Sequence, residues 1–308
     1  HDELRRQRQM CIRDRPSAPG DQVCPGNPYI YTVTVNPITG VTLVEDIVVC
    51  HGDDIGPIEF TSTTEGGITT YEWIASGDNI GLTQTDDGNG IINLFTAQNT
   101  TSEPLISSIT VTPTLTNGGV SSVGDPLTFT ITVNPDPQVS DITGLEICNS
   151  DSVSVDPSDI SGNIVPVGTT YSWATPTSTS SDVSGVSGSG DSFTTGTISN
   201  LTNTSVTLTY TVTPTVASTG CEGNPFTVQV VVNPEPQIDN FTQTICEDTA
   251  AFSDITPEDG THGVVPLGTT YTWEIDETSS SNITGGASSS EAASTIPGSI
   301  LILSLIHI

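Results

Sequence analysis

The chain has 308 residues, with 36 acidic side chains against five basic ones and a formal net charge of −31 at pH 7. All five basic residues (Arg5, Arg6, Arg8, Arg13, Arg15) stand within the first fifteen, so residues 16–302 contain neither Lys nor Arg. That leaves no basic patch for phosphate or nucleic acid, no attraction to anionic membrane surfaces, and no P-loop lysine, Schiff-base lysine or arginine clamp.

In chain order, both ends look foreign. Leu303-Ser304-Leu305-Ile306-His307-Ile308 is the translation of CTG TCT CTT ATA CAC ATC, an end sequence used in transposase-based library preparation. Its reverse complement gives Met10-Cys11-Ile12-Arg13-Asp14, and the adaptor codons before it give Arg5-Arg6-Gln7-Arg8-Gln9. Residues 1–15 and 303–308 are therefore read as adaptor-encoded and set aside from the fold. Removing Asp2, Glu3 and Asp14 takes the acidic count from 36 to 33, which with no base remaining is a charge of −33. Such a charge keeps a long surface polymer soluble. The apolar run at residues 300–308 is far too short to span a membrane.

Residues 16–37 read as the tail of a preceding repeat. Tyr29, Tyr31, Val33 and Val35 alternate with Ile30, Thr32 and Thr34 until Asn36-Pro37. The same closing strand returns as Leu127, Phe129, Ile131, Val133 before Asn134-Pro135, and as Phe226, Val228, Val230, Val232 before Asn233-Pro234. Period-two alternation predicts a half-buried strand with one face on a core. Proline lacks the ladder donor and ends the strand, and Pro135-Asp136-Pro137 and Pro234-Glu235-Pro236 make short, stiff linkers. The boundaries that follow are one repeat over 38–135, a second over 136–234 and a truncated third over 235–302.

Inside these boundaries Tyr71-Glu72-Trp73 returns as Tyr171-Ser172-Trp173 and Tyr271-Thr272-Trp273, and Trp73, Trp173 and Trp273 are the three tryptophans of the chain. A self-similar period of 100 residues is a whole domain, so the chain is a tandem array. On a strand, Tyr and Trp two apart share a face, which makes the three tryptophans core anchors rather than ligand-binding aromatics. Val206, Leu208, Tyr210 and Val212 alternate before Pro214, as Ile109 and Val111 do before Pro113; both prolines are read as strand ends. Short Thr/Val-rich strands, Gly/Asn/Asp/Ser turns and no helical period predict an all-β fold of tandem immunoglobulin-like β-sandwich domains. Each domain is large enough to bury its own core.

The frame Ile147-Cys148, Gly168 to Trp173, Tyr210 to Pro214 and Gly220 to Pro234 resembles the PKD-like repeats of very long Bacteroidetes cell-surface proteins. The resemblance is strongest in the second repeat; the first has Ser122 where the second cysteine would fall. It implies export to the cell surface and roles in adhesion or motility, and it implies no catalytic residues.

Setting Cys11 aside, Cys24, Cys50, Cys148, Cys221 and Cys246 remain. Either Cys148 pairs with Cys221 inside a repeat, or Cys24–Cys50 and Cys221–Cys246 pair across linkers. The second arrangement separates sulfurs by tens of ångströms in an end-to-end array, at about 3.3 Å per strand residue, against a Cα limit of about 7 Å. Cys148–Cys221 is favoured, which leaves Cys50 unpaired because its partner position is Ser122. The spacings do not suit zinc, and a disulfide implies an oxidising compartment.

Catalysis finds little support. Cys50-His51 is adjacent in sequence, whereas Cys/His partners meet through the fold. The serines of 178–192 and 279–290 sit in turns without a nucleophile motif. The other chemical candidate is calcium, with Asp53, Asp54, Asp86, Asp87 and Asn89 as hard oxygen ligands in loops, although their spacing is not that of an EF-hand. No other cofactor is implied. The function expected is a non-catalytic stalk or spacer of an extracellular, cell-surface adhesin-like protein. Its partners are neighbouring repeats and surface glycans or proteins, with no membrane insertion. The alternative is a spacer or carbohydrate-binding accessory module of a secreted glycan-degrading enzyme, which an exposed row of aromatics would favour.

Overall fold

Alternating Thr and apolar residues dictate long strands, and the computed structural model builds the chain from them. It describes residues 10–14, 29–33, 35–84, 90–240, 242, 254–276, 288–297 and 305–307. The chain divides into two compact units, His1–Asp136 and Pro137–Ile308. Among the described residues there is no α-helix, only a 3-10 turn at Pro157–Asp159.

The first unit runs β1 (Met10–Asp14), β2 (Tyr29–Val33), β3 (Ile47–Cys50), β4 (Asp54–Ile55), β5 (Ile58–Glu59), β6 (Ile68–Gly77), β7 (Ile91–Ile92), β8 (Phe95–Thr96), β9 (Leu105–Asn117), β10 (Val120–Val123) and β11 (Leu127–Asn134). β1 pairs antiparallel with β2. In the repeat proper, β9 carries β6 along one edge and β10 and β11 along the other, and β3 closes the sheet beside β11. The ribbons β4–β8 and β5–β7 contribute a second layer. Ile55, Ile80, Ile92 and Ala97 from that layer and its loops meet Trp73, Ile109, Val111, Phe129, Ile131 and Val133 in one core.

The second unit repeats the plan with β12 (Ile142–Cys148), β13 (Ser154–Val155), β14 (Thr169–Trp173), β15 (Thr177–Ser178), β16 (Gly188–Gly190), β17 (Phe193–Thr194), β18 (Val206–Val216) and β19 (Phe226–Asn233). Val206, Leu208, Tyr210, Val212 and Val216 of β18 face inward with Phe226, Val228, Val230 and Val232 of β19. Each such side chain contributes about 1.5–3 kcal/mol by burial. Trp173 packs on Phe193 with ring centroids 5.0 Å apart and planes tilted by 58°, and Phe193 meets Tyr210 edge-on at 5.0 Å. The unit ends with β20 (Gln237–Ile238), β21 (Gly263–Val264), β22 (Tyr271–Asp276), β23 (Ser289–Ala293) and β24 (Leu305–His307). Here Ile255, Tyr271, Trp273 and Ile296 form a small core of their own.

Two sequence readings need correction. Pro113 and Pro214 do not end their strands: β9 continues to Asn117 and β18 to Val216. The carbonyls of Pro113 and Pro214 accept from the Gly124 and Gly223 amides at 2.8 and 2.9 Å. A residue's N and C=O point to the same side of a strand, so each proline's missing donor faces the break before the closing strand and takes no bond from β6 or β14. Gly124 and Gly223 are required there, because a Cβ would strike the Thr39 and Pro137 carbonyl oxygens.

The second correction concerns the cysteines. Cys148 is a free, exposed thiol, whereas Cys50 and Cys221 are both disulfide-bonded. The Cys148–Cys221 pair is therefore not formed, and Cys50 is not unpaired. The physical reason is that the opening strand runs parallel to the closing strand, with Cys148 opposite Asn233 and Cys50 opposite Asn134. Cys221 precedes Phe226, at the other end of β19, and seven strand steps at about 3.3 Å put the two cysteines over about 20 Å apart.

Candidate functional site

Each repeat has two distinct ends. At the entry end, Gly124 lies against Thr39 and Gly223 against Pro137, where the chain comes in. At the exit end, the opening strand finishes beside the last residue of the closing strand, Cys50 by Asn134 and Cys148 by Asn233.

The exit end is held by a buried asparagine that the sequence reading missed. Asn200 donates both amide hydrogens, to the Val232 and Thr204 carbonyls at 2.8 and 2.9 Å, and its Oδ1 accepts from the Thr202 amide and hydroxyl. Asn99 repeats this with the carbonyls of Val133 and Glu103 and with Thr101. The signal available in sequence is Asn-x-Thr at 99–101 and again at 200–202.

That latch explains His51. Its Nδ1 accepts from the Asn99 amide at 2.9 Å, and in the next repeat Asn149 Oδ1 accepts from the Asn200 amide at 2.8 Å. His51 thus does the work of an asparagine acceptor, while Cys50 beside it is in a disulfide. Neither has the geometry of a nucleophile and its base.

The calcium candidates divide. Asp53 Oδ2 accepts from the Cys50 amide at 2.9 Å and Asp54 Oδ1 from the Thr96 hydroxyl at 2.9 Å, so both carboxylates serve local turns and pairings. Asp86, Asp87 and Asn89 lie outside the described residues. Two other carboxylates matter more to the fold. Asp46 Oδ1 accepts from the Thr130 amide at 2.7 Å and Asp141 Oδ1 from the Thr227 amide at 2.6 Å, pinning the loop before each opening strand to the closing strand. Those hydrogen bonds, backbone first and threonine hydroxyl second, hold both carboxyls below the usual carboxylate value. Asp136 is pushed the other way, chiefly by burial; His51 lowers it and Asp53 raises it.

The aromatics sit inside. Trp73, Trp173 and Trp273 are 3, 6 and 7% exposed, and Tyr171 and Tyr210 are fully buried with phenols pushed up to about 12 by desolvation. Tyr31 is an exposed aromatic, at 57%.

Residues 145–236 match the family model described as PKD-like domain. Over that stretch the second repeat is similar to the PKD-like family. The first repeat shares the main pairings, β3, β11, β9 and β6 pairing in turn as β12, β19, β18 and β14 do and β4–β8 as β13–β17 do, while its β5–β7 ribbon and β10 have no counterpart strands. Among solved structures, mouse protocadherin-24 EC1-3 is 13% identical with a TM-score of 0.32, over 71% of this chain and 77% of that one. Drosophila N-cadherin EC1-4 is 13% identical with a TM-score of 0.32, over 70% of this chain and 54% of that one. The Bacteroides ovatus mixed-linkage glucan utilization locus protein SGBP-B, in complex with a mixed-linkage heptasaccharide, is 16% identical with a TM-score of 0.22, over 64% of this chain and 48% of that one. Likenesses at these scores carry no argument about function. No curated protein sequence matches the chain.

Proposed function

We propose that the chain is a non-catalytic segment of an extracellular repeat protein, in which PKD-like sandwiches act as stalk or spacer for an adhesive surface protein. The observation that carries this reading is the placement of the chain within each repeat. Repeat two is entered at Pro137, beside Gly223, and left at Asn233, beside Cys148, with the length of β19 between. Repeats entered at one end and left at the other add length when placed in series.

Further observations support it. Disulfide-bonded Cys50 and Cys221 suit an oxidising compartment outside the cytoplasm. No helix among the described residues is long and apolar enough to cross a membrane. Burial of Trp73, Trp173, Tyr171 and Tyr210 uses the aromatics that a carbohydrate-binding face would need. The resemblance of the repeat frame supports the bacterial cell-surface setting, and the adaptor reading of residues 1–15 and 303–308 rests on the match of their amino acids to a translated adaptor.

The test is to screen the purified chain on a glycan array and against polysaccharide substrates. The stalk reading predicts no saturable glycan binding and no turnover. Saturable binding abolished by substituting a residue of 38–234 contradicts it in favour of an accessory module.

A further inference from the structure

The second and third repeats touch through a polar contact. Asn203 Nδ2, on the exit-end loop of repeat two, donates to Asp259 Oδ2 of repeat three at 2.6 Å. Both residues lie within the second compact unit, Pro137–Ile308. An amide donor on a carboxylate makes a charge-assisted bond, shorter and stronger than one between neutral groups.

Each partner is positioned by its own repeat. On the repeat-two side, the buried Asn200 side chain donates to the Thr204 carbonyl at 2.9 Å and accepts from the Thr202 amide at 3.0 Å, which fixes the loop on both sides of Asn203. Ser205 Oγ bonds Asn233 Oδ1 at 2.7 Å and ties the same loop to the last residue of β19. On the repeat-three side, Asp259 stands in a turn closed by its neighbours. The Glu258 amide donates to His262 Nδ1 at 3.0 Å, the His262 amide to the Glu258 carbonyl at 2.9 Å, and the Gly260 amide to the Gly263 carbonyl at 2.9 Å. Pairing of β20 with β21, and the Asp239 amide on the His262 carbonyl at 2.9 Å, anchor that turn to the start of the repeat. Asp259 spends Oδ1 on the Val265 amide at 2.9 Å, so its carboxylate is already oriented when Oδ2 takes the bond from Asn203. Groups ordered in advance lose little freedom on meeting, which lets a single bond hold an angle. In the first repeat's loop Ser102 occupies the position of Asn203, so the amide donor belongs to the second repeat.

We propose that the exit-end loop of repeat two is a docking surface for the acidic turn of the repeat that follows, and that the Asn203–Asp259 bond sets the angle between the two. Proline fixes φ but not ψ, so Pro234-Glu235-Pro236 limits the distance between the repeats and leaves their orientation to this contact. The partner surface is a carboxylate on a glycine-closed turn, with one oxygen already used. The joint is a property of the two repeats and stands whether or not the array serves as a stalk.

The test is to measure residual dipolar couplings of backbone amides in the full chain, fitted separately for residues 137–233 and 254–276. A fixed joint gives both sets one alignment tensor. Asn203→Asp sets a second carboxylate against Asp259, and like charges at this range repel, so the two sets should then need separate tensors. Adding Asp259→Asn exchanges donor and acceptor: Oδ1 at 259 still accepts from the Val265 amide, while Nδ2 donates to the carboxylate at 203. Asn203→Asp/Asp259→Asn should therefore return both sets to one tensor. Asn203→Ala, which adds no charge, should also lose the common tensor, and it carries the prediction should Asn203→Asp fail to fold. Separate tensors in the wild type, a common tensor that survives Asn203→Asp or Asn203→Ala, or a paired substitution that does not restore it would each overturn the proposal.

Discussion

The side-chain amide of Asn200 donates to the carbonyl of Val232 at 2.8 Å, tying the loop after β17 to the last inward residue of the closing strand. Asn99 and Val133 hold the same relation in the repeat before. Because both amide hydrogens are used, Asn200→Asp should be as damaging as Asn200→Ala: it keeps an acceptor but leaves the Val232 and Thr204 carbonyls without a donor. Buried groups orphaned in this way cost about 2–4 kcal/mol together, to be read as a lower urea midpoint. An Asn200→Asp chain with wild-type stability would remove the latch from the account.

Gly223→Ala should destabilise the second repeat by about 1–3 kcal/mol, because its Cβ meets the backbone oxygen of Pro137 rather than a side chain that can swing away. Gly40→Ala is the control. Nothing lies within 4 Å of its Cβ position, so its midpoint should hold within about 0.5 kcal/mol. Equal effects of the two substitutions would contradict the close approach at the entry end.

Trp173→Ala removes the indole packed against Phe193 and should cost about 3–5 kcal/mol. Val167→Ala, at 88% exposure, should be neutral. Calorimetry distinguishes the two, and a neutral Trp173→Ala would mean the indole is not a core anchor.

Burial raises the phenols of Tyr171 and Tyr210 to about 12, and the Asp156 charge adds to the effect at Tyr171. The folded chain therefore holds these protons more tightly than the unfolded chain. That contribution is whole below the ordinary tyrosine value of 10 and is lost as pH rises towards 12. Absorbance at 295 nm should show these tyrosines ionising late, with stability falling in the same window. Tyr210→Phe should shallow that fall; an unchanged alkaline limb would reject the assignment.

The sign reverses at Asp46 and Asp141, whose folded carboxyls are lowered by bonds from Thr130 and Thr227. Their contribution is present above the ordinary carboxylate value of 3.8 and lost as pH falls through the lower folded values. Asp141→Asn keeps an acceptor for the Thr227 amide and has no proton to gain, so its acid limb should be shallower than the wild type's. An identical slope would place the acid sensitivity elsewhere.

The long strands were legible because their alternation is strong: Val206 to Val212 and Phe226 to Val232 announce an inward face without any help from the rest of the chain. The direction of the opening strand was not legible. Ile142–Cys148 gives no local sign that it runs parallel to the closing strand, and which end of the repeat Cys50 and Cys148 occupy depends on that choice. Gly188–Gly190 misled in another way, reading as a turn. It is strand β16, where the missing side chain at Gly188 makes room for the Trp173 indole. The strand-interior prolines and the Asn-x-Thr latch depend on where neighbouring carbonyls fall, which composition and period do not encode.

The stalk reading requires each repeat to add length to the chain. Small-angle X-ray scattering of the full chain and of a version lacking residues 136–234 tests it most directly. On the stalk reading the deletion shortens the maximum dimension by about one sandwich, roughly 30–40 Å for strands of this length. An unchanged maximum dimension, with the radius of gyration falling only as chain mass falls, would contradict it.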